Sequence, residues 1–122
     1  MNNAWKDRSL SYEQRAEILV SQMTLEEKVS QMTYQSSALS RFGIPEYNWW
    51  NECLHGVARA GTATMFPQPI GMAAAFDADQ LHDIAVIISE EARIKHHVAA
   101  RQEDRGIYKG LTMWTPNINL FR

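Results

Sequence analysis

The firmest constraint on the fold begins at Asp77. Asp77-Ala78-Asp79-Gln80 has the pattern of a helix N-cap, and Leu81, Ile84, Ala85, Ile88, Ala92 and Ala99 then recur on one face at helical spacing. A long helix with one apolar face needs a layer to pack against. The segment beyond it, Arg101 to Gly110, is charged and carries two glycines, so the helix is expected to stop near Glu103. Earlier in the chain, Ser11-Tyr12-Glu13-Gln14 reads as a capping box ahead of Ala16, Leu19, Val20 and Met23. Thr24-Leu25-Glu26-Glu27 repeats the device, and Leu25, Val29 and Met32 are expected to form the buried stripe of a short second helix.

Between these helices the helical period disappears. Tyr34 leads into Gln35-Ser36-Ser37, which suits a strand end running into a surface loop, and Gly43-Ile44-Pro45 is a turn. Tyr47-Asn48-Trp49-Trp50-Asn51 has the aromatic content of a second strand. The stretch punctuated by Gly56, Gly61, Pro67, Pro69 and Gly71 is too broken for one regular element and reads as a functional loop or a chain of short turns. Leu111-Thr112-Met113-Trp114-Thr115 reads as a third strand closed by Pro116. Strands separated by helices imply an α/β fold of parallel βα units.

Composition narrows the function classes. The 122 residues are 45% apolar and 21% charged, which excludes a disordered chain. A net charge of −2 offers no footprint for nucleic acid or an anionic membrane surface. The one cysteine, Cys53, has no internal partner, and Met1 to Arg8 is polar and charged, without the pattern of a secretion signal. No apolar run approaches the roughly 20 residues that span a bilayer. A soluble protein of a reducing compartment, cytoplasmic in location, is the expectation.

The common chemical signatures are missing. Gly56 and Gly61 have the spacing of a phosphate-binding loop, but Thr62-Ala63 stands where a Lys followed by Ser or Thr is needed. His96 and His97 are helix neighbours and do not share a face, so joint metal binding is not expected; no metal and no cofactor is assigned. Cys53 could act as a nucleophile, although a packed, inert thiol is the usual state of a buried cysteine. Glu52 and His55 follow the end of an aromatic strand, where α/β folds aim residues into ligand crevices. On the residues alone, a structural role for Glu52 is the commoner outcome, and Trp49 and Trp50 pack cores more often than they stack on sugar rings.

In order and spacing, Arg15-Ala16-Glu17, Met23 to Lys28, Gly43-Ile44-Pro45, Trp50-Asn51-Glu52-Cys53-Leu54-His55-Gly56-Val57, Phe66-Pro67-Gln68 with Ile70-Gly71, and Thr115-Pro116-Asn117-Ile118-Asn119-Leu120 form a specific set. Through them the chain resembles glycoside hydrolase family 3. The resemblance implies the N-terminal portion, roughly three βα units, of a (β/α)8 barrel, with residues 1–122 a partial barrel domain and no second domain present. It implies a retaining exo-acting β-glycosidase acting on oligosaccharides or aryl β-glycosides with terminal xylosyl residues; a β-glucosidase, or a non-catalytic carbohydrate-binding or scaffold protein, are the alternatives. None of the 14 carboxylates matches the family's nucleophile or acid/base position, so no catalytic residue is assigned and the rest of the parent enzyme is expected to be missing. Glu52 matches the acidic position that hydrogen-bonds sugar hydroxyls. In this setting Glu rather than Asp resembles the xylosidase and arabinosidase branch, its extra methylene filling the space of a glucose hydroxymethyl. By the same resemblance His55 braces the loop, and Trp49 or Trp50 lines the wall of the sugar subsite.

Overall fold

The two capping boxes form as their residues require. In this computed structural model, which describes residues 3–115, α1 spans Tyr12–Ser21 and α2 spans Leu25–Ser30. The Ser11 and Thr24 hydroxyls accept from the N–H groups of Gln14 and Glu27, whose side chains accept in return from the cap N–H groups. These reciprocal bonds satisfy donors that the first turn of a helix leaves free.

The stripes behind the caps have no cover. Leu25, Val29 and Met32 are 73%, 56% and 83% exposed, against the expectation of a buried stripe. Helical periodicity defines a face but does not provide its partner, and no other described element closes over α2. What holds α2 is polar: the Arg41 guanidinium donates to both oxygens of Glu27 and to the Gln22 carbonyl. That pairing lowers the Glu27 carboxyl to about 2, with the Thr24 N–H adding to the effect.

Two short strands follow, β1 at Gln35–Ser36 and β2 at Tyr47–Asn48, and they pair antiparallel, Gln35 with Asn48 and Ser36 with Tyr47. Parallel pairing fails here because the link is a short reversal. A 3₁₀ turn over Ser40–Phe42 runs into Gly43 at φ 68°, and Leu39 bridges back to Ile44. A parallel crossover needs a dozen or more residues, usually helical.

The broken stretch contains one helix that its punctuation hides, α3 at Pro69–Ala74. Pro69 occupies the first turn, where its missing N–H costs nothing and its fixed φ favours the helix, so a residue read as a breaker is a starter. Helix α4 then runs from Ala78 to Arg101, with Asp77 accepting from the Gln80 N–H at 2.9 Å. Its stop is at Gln102, followed by Glu103 in the left-handed region at φ 57°. Ile88 and Ala92 pack with Val57 as the core, bordered by Cys53, Ala60, Ala63, Phe66, Ile84 and Met113.

The expected third strand is reduced to one bridge, Met113 with Asn51, and that bridge is parallel. The reason lies in the backbone partners. The N–H groups of Gly110, Leu111 and Thr112 donate to side chains, to Asn51 Oδ1 and to the Tyr47 hydroxyl, and not to a neighbouring strand. The described residues thus form an α/β fold dominated by helix, with one antiparallel pair and one parallel contact across α3 and α4. Residues 116–120 of the sequence pattern, including the proline expected to close the third strand, lie outside the described residues. Among the described residues no helix is long and apolar enough to cross a membrane.

Candidate functional site

The chain leaves β2 through a local turn in which the Trp50 N–H donates to Asn48 Oδ1 at 3.0 Å. Trp49 and Trp50 have different partners. The Trp49 indole N–H donates to the Ser36 hydroxyl at 2.7 Å, and its ring packs edge-on against Tyr47 with centroids 4.9 Å apart. Trp49 therefore secures the β1–β2 pair and is not drawn to Glu52.

Trp50 does meet Glu52. Its indole N–H donates to Glu52 Oε1 at 2.8 Å, which fixes the carboxylate and leaves Oε2 free of that bond. The Trp50 ring stacks on Trp114, with centroids 5.3 Å apart and planes 27° from parallel, and Tyr34 packs edge-on at 5.6 Å. Tyr34 and Trp114 are about half exposed, at 49% and 53%. The arrangement is a partly open aromatic wall beside one oriented carboxylate. An aromatic face offers apolar contact to the C–H face of a ring, and a carboxylate accepts charge-assisted bonds from hydroxyls.

Tyr34 and Trp114 were absent from the sequence-derived site. Trp114 is the last residue but one of the third expected strand, as Trp50 is of the second, and that parallel was the available signal. Tyr34 carried none.

His55 is bonded to the far end of the loop that follows it. Its Nδ1 is 3.0 Å from the Phe66 carbonyl oxygen, and the Phe66 N–H donates to the His55 carbonyl at 2.8 Å. A carbonyl only accepts, so the proton resides on Nδ1. His55 thus ties the two ends of the 56–66 loop. The loop is also clamped from α4. Glu91 accepts from the Thr64 N–H and hydroxyl, which lowers its own carboxyl, and the Lys95 ammonium donates to the carbonyls of Ala60 and Thr62.

An apolar concavity lies elsewhere. A groove of about 480 Å³ runs along α4 past Cys53, Leu54, Met72, Ile84 and Met113. None of Trp50, Glu52 or His55 lines it, and its predominantly apolar walls offer little to pair with the hydroxyls of a sugar. The candidate site is therefore the Trp50–Glu52–Trp114 cluster and not the groove. Burial raises the Cys53 thiol, an effect larger than the opposing bond with Thr115, so the thiolate needed for nucleophilic chemistry is disfavoured. His96 Nδ1 is engaged by the Lys109 carbonyl at 2.8 Å, and among the described residues no group of three His, Cys, Asp or Glu could hold a metal ion.

Known proteins resemble this chain over most of its length. The family model described as the glycosyl hydrolase family 3 N-terminal domain matches residues 7–96. A probable exo-1,4-beta-xylosidase of Aspergillus flavus is 46% identical over 95% of this chain and 15% of its own length. A xylan 1,4-beta-xylosidase of Xylanibacter ruminicola is 40% identical over 97% of this chain and 14% of its own. A solved GH3 exo-beta-xylosidase (XlnD), in complex with a xylobiose aziridine activity based probe, superposes with a TM-score of 0.70 at 39% identity, over 75% of this chain and 13% of that one. The chain spans about 15% of the length of the curated relatives it matches. The match of the family model to most of the chain, together with that identity, makes it a member of the glycosyl hydrolase family 3 N-terminal domain family.

Proposed function

We propose that the chain is the N-terminal part of a (β/α)8 barrel in a retaining exo-β-xylosidase, and that it supplies one wall and one hydrogen-bonding carboxylate of the subsite for the terminal xylosyl residue. The observation that carries this reading is the oriented Glu52 carboxylate beside the stacked Trp50–Trp114 pair. The names of the Aspergillus and Xylanibacter relatives, both xylosidases, support the choice of sugar.

In this reading Trp50 and Trp114 cover an apolar face of the sugar, and Glu52 Oε2 accepts from ring hydroxyls. The side chain of Glu is one methylene longer than Asp and reaches into the space that a hydroxymethyl group of glucose would occupy. Retaining hydrolysis requires two carboxyl groups about 5 to 5.5 Å apart, one nucleophile and one acid/base. Both are assigned to the parent enzyme outside these 122 residues. Glu52 binds and orients, and carries no covalent step.

The test is a titration of the purified chain with xylose and glucose, read by tryptophan fluorescence. Xylose is expected to bind more tightly than glucose, and Glu52→Ala to weaken xylose by about tenfold or more, since a bond to a charged acceptor is worth roughly 1.5 to 3 kcal/mol. Nitrophenyl β-xyloside is expected to be hydrolysed no faster than without protein. Xylose binding that is absent, or indifferent to Glu52→Ala, overturns the reading.

A further inference from the structure

Trp114 reaches Trp50 from a segment that has almost no strand ladder, which raises the question of what holds it there. Asn51 is the most deeply buried side chain among the described residues, 1% exposed, and its amide bonds that segment and the end of β2. Its Oδ1 accepts from the Gly110 N–H at 2.7 Å, and its Nδ2 donates to the carbonyls of Asn48 and Thr112 at 3.0 and 3.2 Å. Its own carbonyl accepts from the Trp114 N–H at 2.9 Å. The Tyr47 hydroxyl accepts from the Leu111 and Thr112 N–H groups at 2.8 and 3.0 Å and lies 3.0 Å from the Thr112 hydroxyl. Gly110 fits beneath both: a Cβ there would stand 2.6 Å from Asn51 Nδ2 and 2.6 Å from the Tyr47 oxygen.

We infer that Asn51 and Tyr47 are positioning residues for the sugar wall, fixing the register of residues 110–114 so that Trp114 stacks on Trp50. The inference rests on the reading of that wall as a xylosyl subsite only for its effect on affinity. A two-residue slip of an ordinary ladder keeps every side chain on its face, so backbone pairing alone would tolerate a misplaced Trp114. A buried amide with three directed bonds does not, because a shifted segment leaves it unsatisfied.

The test uses the 122-residue chain with Tyr47→Phe, which removes one oxygen and keeps the ring against Trp49. Trp114→Ala is the reference for an absent stack, and the double variant closes the cycle. Two indoles in contact give an exciton couplet in circular dichroism, and this readout needs no sugar. In Tyr47→Phe the couplet is expected to fall toward that of Trp114→Ala while the helical signal stays. Xylose affinity is expected to drop severalfold to about tenfold in each single variant, with no further loss in the double variant. A couplet retained in Tyr47→Phe overturns the inference. So does loss of the helical signal with the couplet, which would make Tyr47 a support of the whole fold, or additive losses of affinity. Should wild-type chain fail to bind xylose, the subsite reading falls and the couplet alone decides the positioning role.

Discussion

Gly56 gives the sharpest test of how the 56–66 loop is built. It is buried at φ 135°, and a Cβ there would lie 2.3 Å from the backbone oxygen of Thr64. An ordinary carbon–oxygen contact is about 3.3 Å or more, so the two strands of the loop must part by about 1 Å in Gly56→Ala. That displacement works against the bonds between His55 and Phe66 and those that Thr64 makes to Glu91. Backbone strain costs about 1 to 3 kcal/mol and crowding about as much again, for a total of roughly 2 to 6 kcal/mol. Gly61 is the internal control, at φ 77° in the same loop with nothing within 4 Å of its Cβ direction. Gly61→Ala incurs the left-handed penalty alone, about 1 to 2 kcal/mol. The assay is amide hydrogen exchange at Phe66, whose N–H reports opening of this loop locally. The crowding contribution of about 1 to 3 kcal/mol separates the two, so at about 1.4 kcal/mol per tenfold exchange is expected to be roughly fivefold to a hundredfold faster in Gly56→Ala than in Gly61→Ala. Equal rates in the two variants would refute the close-approach argument and leave only the sign of φ.

The Glu27–Arg41 clamp makes α2 acid-sensitive: a carboxyl lowered from 4.5 to about 2 contributes stability that is fully present above pH 4.5 and is lost as pH falls through about 2. Thermal melts of wild type and Glu27→Gln are therefore expected to differ at pH 6 and to converge as the pH approaches 2; a gap that widens on acidification contradicts the assignment. The uncovered α2 face predicts association, so Val29→Lys with Met32→Lys should lower the sedimentation-average mass at micromolar concentration and leave the helical signal unchanged. An unchanged mass would locate the sticky surface elsewhere, the α4 groove being the next candidate.

Legibility followed the range of the interaction. The caps at Ser11, Thr24 and Asp77 close within four residues, and each could be read before any tertiary contact was known. Trp50 and Glu52 lie two residues apart, and their bond is nearly as local. Trp114 was read only as part of a strand because its place depends on Asn51 and Tyr47, more than sixty residues earlier, through bonds that no periodicity encodes. Burial of the α2 stripe was misjudged for a related reason, since a pattern identifies a face without saying whether another surface arrives to meet it.

The same polar contacts explain two departures from the sequence reading at once. A third strand was expected because Leu111 to Thr115 has strand-like residues, yet the N–H groups of Leu111 and Thr112 are taken by the Tyr47 hydroxyl and that of Gly110 by Asn51 Oδ1, so strand-like pairing is left to the Met113–Asn51 bridge and the Trp114 N–H bond to the Asn51 carbonyl. What the segment loses in regularity it gains in placement. A ladder is satisfied by any register that keeps the pleat, whereas a phenol oxygen and a buried amide accept one. Gly110 is the steric complement of this choice, as any side chain there would collide with the groups that hold the segment. In a site whose wall is built from two indoles drawn from distant parts of the chain, a mis-set register would leave Trp50 and Glu52 in place and remove the wall opposite them. Side-chain fastening therefore puts the specificity of placement at the residues adjoining the site and leaves the remainder of the segment free of regular structure.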